Sequence, residues 1–151
     1  MDNSDVVSVL NDLIETCKDG EYGFNTCIEQ AKATELKNLF RMRAAECRIS
    51  ADELSRLVVL HGGSAQEGGS VAGAVHRGWV SLRGAVTTQD DLAVLEECER
   101  GEDAAKARYA EALEKQLPSI VHDVVNRQYQ GVLSNHAEIK ALRERFRRIA
   151  A

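Results

Sequence analysis

The fold of this chain is decided by residues 96–103, whose sequence is Glu-Glu-Cys-Glu-Arg-Gly-Glu-Asp. They lie in an amphipathic helix predicted over about 89–116, in which apolar residues recur every three or four positions. Two carboxylates, Glu99 and Glu102, fall on the apolar stripe of that helix. A carboxylate on a buried stripe is costly unless it is paired, protonated or bound to a metal ion. Residues 96–103 therefore predict a polar layer inside a helical core.

The composition around this stretch favours a single all-α domain over residues 1–151. The chain has 151 residues, one proline and 5% aromatic residues. That length is enough for one domain with a real core. Abundant Ala, Leu, Glu and Arg favour helix, and the scarcity of proline and aromatic residues disfavours a β-sandwich or barrel.

The charge pattern limits the partners that we expect. The net charge is −5, so nucleic acid is not an expected partner. No apolar run is long enough to span a membrane, and the first residues show no export signal. We therefore expect a cytoplasmic protein that binds neither nucleic acid nor membrane.

Three further amphipathic helices are predicted, and together the four form two antiparallel hairpins. Thr34 is a candidate N-cap for the second helix, and Gly62 and Gly63 follow its end. Pro118 suits the first position of the last helix. The short breaks near residues 32–34 and 117–118 make each helix pair antiparallel. The predicted ranges are about 4–31, 34–61, 89–116 and 118 onward.

The segment that joins the two hairpins, about 62–88, is too long for a tight turn. It begins with a glycine-rich stretch, residues 62–69, and continues as a shorter helix over about 71–86 that carries Trp79. An extended piece followed by a helix can travel the length of the bundle. The third helix would then start at the end where the first two helices meet. A four-helix bundle with such a long crossover is ferritin-like.

With this topology, five ligand-type residues fall at a similar depth in the bundle. Counting helical rise from the turn between the first two helices places them within roughly 5 Å in depth. Oxygen-rich ligation with a histidine suits iron or manganese. The sequence therefore predicts a candidate metal layer formed by Glu21, Glu46, Glu99, Glu102 and His136.

The match to a di-metal centre is partial, and an ion-pair network is the alternative. Di-metal bundles of this type carry Glu-x-x-His on two helices, but here Ile49 follows Glu46 by three positions and Leu133 precedes His136 by three. Arg43 lies on the stripe of the second helix near the depth of Glu21. An Arg43–Glu21 pair would take the place of a metal ion. Paired networks with Arg43, Arg100 or Lys106 remain open, whereas Glu96 and Glu97 are predicted on a solvated face.

The four cysteines contain no C-x-x-C pair, so we expect small core or boundary residues rather than a zinc ribbon. Cys17 and Cys47 lie at similar depth on adjacent helices, which leaves open a regulatory disulfide between them. The four are Cys17, Cys27, Cys47 and Cys98.

Several stretches resemble a bacterial family of uncharacterised proteins described as ferritin-like four-helix bundles with a domain of unknown function. The resemblance covers nearly the whole chain. It implies the ferritin-like fold and a bacterial cytoplasmic source, and it implies no established activity, substrate or catalytic residue. The stretches are residues 10–16 (LNDLIET), 75–79 (VHRGW), 97–103 (ECERGED), 113–115 (LEK) and 127–130 (RQYQ).

Two functions from different classes follow as hypotheses. The first is a structural or stress-associated bundle that acts through assembly or partner binding without catalysis. The second is a metal-binding ferritin-like protein, with iron or manganese and an oxidase or peroxide-handling activity. We also expect a homodimer, because apolar positions of the crossover, including Trp79, could meet a second copy.

Overall fold

The computed structural model describes residues 1–65, 79 and 90–150 of the chain, and it confirms the all-α fold. These residues form four α-helices and, within those ranges, no strand. The helix bounds lie within three residues of the predicted ones at each end that the sequence defined. The helices are α1 (Asn3–Gln30), α2 (Thr34–Leu60), α3 (Asp91–Leu113) and α4 (Ser119–Ala150).

The helix starts differ from the prediction at two places. Thr34 is the first residue of α2 rather than its cap; Ala33 holds the cap position and its side chain makes no capping hydrogen bond. Pro118 precedes α4 instead of opening it, and its carbonyl accepts a hydrogen bond from the His122 N–H at 2.8 Å. Proline has no N–H to donate, so Pro118 contributes to the first turn of α4 through its carbonyl oxygen, which accepts a hydrogen bond.

The α1–α2 turn is closed by the start of α3. The Asp91 carboxylate accepts hydrogen bonds from the backbone N–H groups of Lys32, at 2.7 Å, and Ala33, at 3.1 Å. Asp90 caps α3 itself by accepting from the Ala93 N–H at 2.7 Å. The two aspartates at the start of α3 therefore accept hydrogen bonds from backbone N–H groups of the α1–α2 turn and of α3 itself.

These contacts confirm the crossover. The Ser64 carbonyl, just after α2, accepts from Asn11 Nδ2 at 3.1 Å, near the start of α1. Asp91 lies at the opposite end of α1, so the chain between Ser64 and Asp91 joins opposite ends of the bundle. The shorter helix predicted over 71–86 lies outside the described residues, apart from Trp79.

The apolar core consists of two clusters separated along the bundle axis. One, near the start of α1, contains buried residues such as Leu10, Leu54 and Val121. The other, near the α1–α2 turn, contains Phe40 and Leu95 among others. Arg43, Glu46 and Glu102 line a cavity to which residues of both clusters also contribute.

Trp79 enters the second cluster through a slot made by two glycines. A Cβ added to Gly23 would lie 2.2 Å from the Trp79 ring, and one added to Gly101 would lie 2.3 Å from it. Real Cβ atoms are not found at such distances. Gly101 belongs to the 96–103 stretch, so this stretch accommodates the crossover as well as the acids.

Candidate functional site

Arg43 of α2 is the centre of the polar layer. Its side chain is buried, with the residue 6% exposed. Nη1 donates to Glu46 Oε1 at 3.1 Å, and Nη2 donates to Glu138 Oε1 at 2.6 Å. The carboxylate side chains of Glu46 and Glu138 are 45% and 52% exposed. A buried guanidinium is thus neutralised by two carboxylates that remain in contact with water, which lowers the cost of its burial.

The pairing differs in part from the network inferred from the sequence. Arg43 does hold the layer, but its hydrogen-bonded acids are Glu46 and Glu138 rather than Glu21. Glu138 was not among the candidate residues, because it lies on α4 three positions after Asn135 and the stripe pattern does not select it. Asn135 joins the same group and donates from Nδ2 to Glu46 Oε2 at 3.1 Å.

Glu102 of α3 is a buried acid of the layer. The residue is 6% exposed, and its Oε1 atom has no hydrogen-bond partner among the described residues. Burial raises the pKa of this carboxyl to about 8, and the neighbouring acids Asp103, Glu138 and Glu46 add to the increase. The positive charge of Arg43 acts in the opposite direction. Near pH 7 the Glu102 carboxyl is therefore largely protonated.

The remaining predicted ligands divide into two groups. Glu21 and Glu46 lie near Cys47, together with Glu102, since all three carboxylates help burial to raise the pKa of that thiol. Glu99 and His136 instead have partners of their own. Glu99 forms an ion pair with Arg143, and His136 Nε2 lies 2.6 Å from Asp103 Oδ1.

In the described part of the chain, the five predicted metal ligands are not gathered around one point. Within residues 1–65, 79 and 90–150, no three His, Cys, Asp or Glu side chains are grouped so that they could hold a metal. Three of the five have protein partners: Glu46 bonds to Arg43, Glu99 pairs with Arg143, and His136 contacts Asp103. A metal centre built from all five residues therefore remains a prediction.

One position on the predicted solvated face is buried. Glu97 is 3% exposed and forms an ion pair with Arg100, one turn later on α3. Glu97 lies next to the stripe residue Cys98, so it falls at the border between the buried and exposed faces. Its pairing supplies the compensation that a buried carboxylate requires.

A hydrogen-bonded chain runs from the core to the surface beside the layer. Cys17 Sγ lies 3.2 Å from Tyr109 Oη, which donates to Gln128 Oε1 at 2.7 Å. Gln128 Nε2 in turn donates to Glu53 Oε1 at 2.8 Å. The chain satisfies a buried phenol and a buried amide together, so these polar groups are stable within the core.

All four cysteines are free thiols, and burial favours the neutral form of Cys17, Cys47 and Cys98. Burial raises the pKa of Cys17 to about 11 and that of Cys98 well above its usual value. Cys27 Sγ and Cys98 Sγ are 3.2 Å apart, and neither residue is exposed to solvent. Since the thiolate is the reactive species, this environment makes these thiols unreactive in the folded protein.

The polar layer borders a cavity of about 270 Å³ between the two apolar clusters. Its apolar wall includes Phe24, Trp79 and Val132, and its polar wall includes Arg43, Glu102 and Tyr109. Small residues such as Gly20 and Gly101 also line it. The cavity is thus the place where the buried acid, the buried arginine and the crossover tryptophan meet.

Four helices in two antiparallel hairpins, with the second hairpin starting at the opposite end of the bundle from where the first one finishes, define the class of ferritin-like four-helix bundles. Solved structures of that class share the fold at low identity. A dodecameric thioferritin from Bacteroides fragilis has a TM-score of 0.80 at 13% identity, over 99% of this chain and 90% of that one.

Two Dps structures give the same result. A mutant of Dps1 from Mycobacterium smegmatis has a TM-score of 0.77 at 14% identity, over 92% of this chain and 95% of its own. Dps from Vibrio cholerae, described as a ferritin-like diiron-carboxylate protein, has a TM-score of 0.76 at 11% identity, over 93% of this chain and 89% of its own. At such identities the likeness establishes the fold alone.

The chain belongs to the family described as a domain of unknown function, DUF2383, whose pattern matches residues 5–115. This confirms the resemblance drawn from residues 97–103 and the other quoted stretches. Among curated proteins, none matches the chain. In the described part of the chain, no helix has the length and apolar character needed to cross a membrane.

Proposed function

We propose that this protein is a ferritin-like bundle without a resident metal ion, a structural or stress-associated protein that acts through assembly or partner binding. The observation that supports this proposal is the position of Arg43. In a bundle of this class, carboxylates converge at mid-depth, where their repulsion requires a compensating charge. Here a side chain of the protein supplies that charge.

The geometry explains why an arginine suits this role. Its two Nη atoms reach two carboxylates on different helices, Glu46 on α2 and Glu138 on α4. The planar guanidinium stays charged at every physiological pH and offers several fixed donors. Such a contact ties α2 to α4 without any cofactor, so the bundle can be complete as an apoprotein.

Metal analysis tests this proposal directly. The protein is purified without chelator from cells grown with added iron and manganese, and its metal content is compared with that of a Glu102→Gln variant. We expect both proteins to contain far less than one ion per chain. A content near one or two ions that falls in the Glu102→Gln variant would refute the proposal.

A second candidate function is the binding of iron or manganese, and two observations favour it. The Oε1 atom of Glu102 has no partner among the residues that the structure describes, and the Vibrio cholerae protein of similar fold is described as a diiron-carboxylate protein. The candidate ligands are those predicted from the sequence: Glu21, Glu46, Glu99, Glu102 and His136. Oxidase or peroxide-handling activity belongs to this proposal.

Anaerobic calorimetry with Fe²⁺ and with Mn²⁺ distinguishes the two candidates. The metal-binding function requires saturable binding by the natural protein that is weakened in Glu102→Gln and also in His136→Ala. Arg43→Met serves as the comparison, because it removes the competing cation. Binding by Arg43→Met alone would mean that Arg43 excludes the metal from the natural protein, in agreement with the first proposal.

The assembly and location of the protein are also proposals. We expect a homodimer in the bacterial cytoplasm, whereas the thioferritin of the same fold is described as dodecameric. Sedimentation velocity at micromolar concentration separates these states. A single species with the mass of one chain would contradict the proposal that the protein acts through self-assembly.

A further inference from the structure

We propose that the cavity beside Arg43 and Glu102 binds a small uncharged aromatic molecule that carries one hydroxyl group, a compound of the phenol class. The hydroxyl group would contact Glu102 and Arg43, and the ring would pack against Trp79. This inference goes beyond the proposed function and does not depend on the metal content of the protein.

The size of the cavity fits such a ligand. Its volume is about 270 Å³. A dry apolar cavity of about 150 Å³ in another protein is large enough to bind benzene. The present cavity therefore has room for one aromatic ring together with a polar substituent.

Two buried polar atoms of the lining residues lack partners. Glu102 Oε1 and Arg43 Nε make no hydrogen bond among the described residues, and both residues are 6% exposed. Buried polar groups in native proteins are nearly always satisfied, so each exception calls for an explanation. Glu102 and Arg43 both line the cavity, and a hydroxyl group both donates and accepts, so a ligand hydroxyl can bond to the Glu102 carboxyl and accept from an N–H of the Arg43 guanidinium.

The charges around the cavity favour an uncharged ligand. Arg43 is already neutralised by Glu46 and Glu138, so an anionic ligand would approach a guanidinium whose charge is balanced by two carboxylates. A cationic ligand would find Glu46 and Glu138 already paired with Arg43 and the Glu102 carboxyl largely protonated. Transfer of an unpaired charge into a largely apolar cavity is strongly unfavourable.

The cavity wall favours an aromatic ring over an aliphatic one. Trp79 and Phe24 form an edge-to-face pair with ring centroids 5.1 Å apart and an interplanar angle of 69°. Both line the cavity, as does Tyr109. An added ring can extend this arrangement, since aromatic rings prefer offset or edge-to-face contacts.

Trp79 also provides the readout, because it is the only tryptophan in the chain. Its fluorescence, excited at a wavelength where phenol does not absorb, is titrated with phenol, benzene, cyclohexanol and benzoate. The natural protein is used after chelator treatment, and its metal content is measured on the same sample. We expect saturable binding of phenol at one site, at least tenfold weaker binding of benzene and cyclohexanol, and no binding of benzoate.

Each alternative outcome overturns the proposal. Equal affinities for phenol and benzene would show that the hydroxyl group does not contribute to binding. Tighter binding of benzoate than of phenol would show that the ligand is not of the uncharged class. No saturable change with phenol up to millimolar concentration would refute the site itself. The comparison of the four probes uses the natural protein alone, so it does not depend on a variant that folds.

A pair of variants then locates the hydroxyl contact. Glu102→Gln retains a side-chain oxygen that accepts a hydrogen bond, whereas Glu102→Leu has none. We expect phenol to bind to Glu102→Leu at least tenfold more weakly than to Glu102→Gln. Equal phenol affinity in the two folded variants would overturn the assignment of Glu102 as the partner of the hydroxyl group.

Discussion

The slot that accepts Trp79 gives the sharpest stability prediction. Gly101 is buried in α3, and a Cβ at that position would lie 2.3 Å from the Trp79 ring. Gly131 on α4 is the control, because among the described residues a Cβ there would meet nothing within 4 Å. The same substitution, Gly→Ala, therefore tests one buried helix position that faces Trp79 and one exposed helix position with open space around it.

The expected magnitudes follow from two opposing terms. Alanine is favoured over glycine inside a helix by about 1 kcal/mol, so Gly131→Ala should raise the free energy of unfolding by up to that amount. Gly101→Ala gains the same helix propensity, but its Cβ forces the rigid Trp79 ring to move in a packed core, which costs about 1–3 kcal/mol. The ring cannot shift freely, since Gly23 contacts it as well. We expect Gly101→Ala to be about 1–3 kcal/mol less stable than Gly131→Ala.

Urea denaturation followed by circular dichroism at 222 nm measures both values. The decisive step repeats Gly101→Ala in a Trp79→Ala background, which itself should cost about 3–5 kcal/mol. Without the ring the clash is absent, so the sign should reverse and Gly101→Ala should stabilise that background. If Gly101→Ala is equally destabilising with and without Trp79, the slot is not the cause and the reasoning is refuted.

Three further predictions concern the buried polar groups. The pKa of Glu102 is raised to about 8 in the folded protein, so between about pH 5 and 8 the folded protein keeps a proton on Glu102 that the unfolded chain has lost. The free energy of unfolding should therefore fall as the pH rises through this range, with a slope of up to about 1.4 kcal/mol per pH unit. This slope should be absent in Glu102→Gln, as measured by urea denaturation across that range. Tyr109→Phe should cost about 1–2 kcal/mol in the same assay, because the buried Gln128 Oε1 loses its donor. Raised pKa values and burial should keep the buried thiols of Cys17 and Cys98 unreactive towards a thiol reagent until the protein is unfolded.

Specific results would contradict each of these three. An identical pH dependence for the natural protein and Glu102→Gln would mean that Glu102 is ionised in the folded state. An unchanged midpoint for Tyr109→Phe would exclude a stabilising role of the hydrogen-bonded chain. Rapid labelling of Cys17 or Cys98 under native conditions, detected by mass spectrometry of peptides, would show that burial does not protect them.

The bundle and its crossover could be predicted from the sequence because they depend on periodicity and length. Apolar spacing defines a helix stripe, and a segment as long as 62–88 cannot be a tight turn. The hydrogen bonds of Asp91 with the α1–α2 turn confirm the resulting direction of α3. The starts of α2 and α4 could not be predicted to the residue. Near α2, the N–H groups of Lys32 and Ala33 bond to the distant Asp91, and at α4 the Pro118 carbonyl accepts from the His122 N–H within the local turn.

The sequence predicts how far along the bundle axis each candidate residue lies, but it does not predict which neighbouring helix each side chain faces. Helical rise is constant, so counting residues predicts which side chains share a depth, and the structure has Glu46 and Glu102 near Arg43. Each step along a helix also rotates the side chain by about 100°, so residues at one depth can face different neighbours. Glu99 therefore pairs with Arg143 and His136 with Asp103.

The partner of an arginine on α2 could not be read from α2 alone. Its choice of Glu138 depends on how α2 and α4 pack across the bundle, and the sequence does not state that geometry. The cavity, likewise, exists only because residues from all four helices and Trp79 enclose the same volume.

The central claim is that Arg43 supplies the positive charge of the polar layer in place of a metal ion. Anomalous diffraction tests it most directly, with crystals grown from protein of iron- and manganese-supplemented cells and data collected at both absorption edges. We predict no anomalous peak among Arg43, Glu46 and Glu102, with the guanidinium bonded to Glu46 and Glu138. A peak bound by Glu102 and Glu46, with Arg43 displaced from the layer, would contradict the claim.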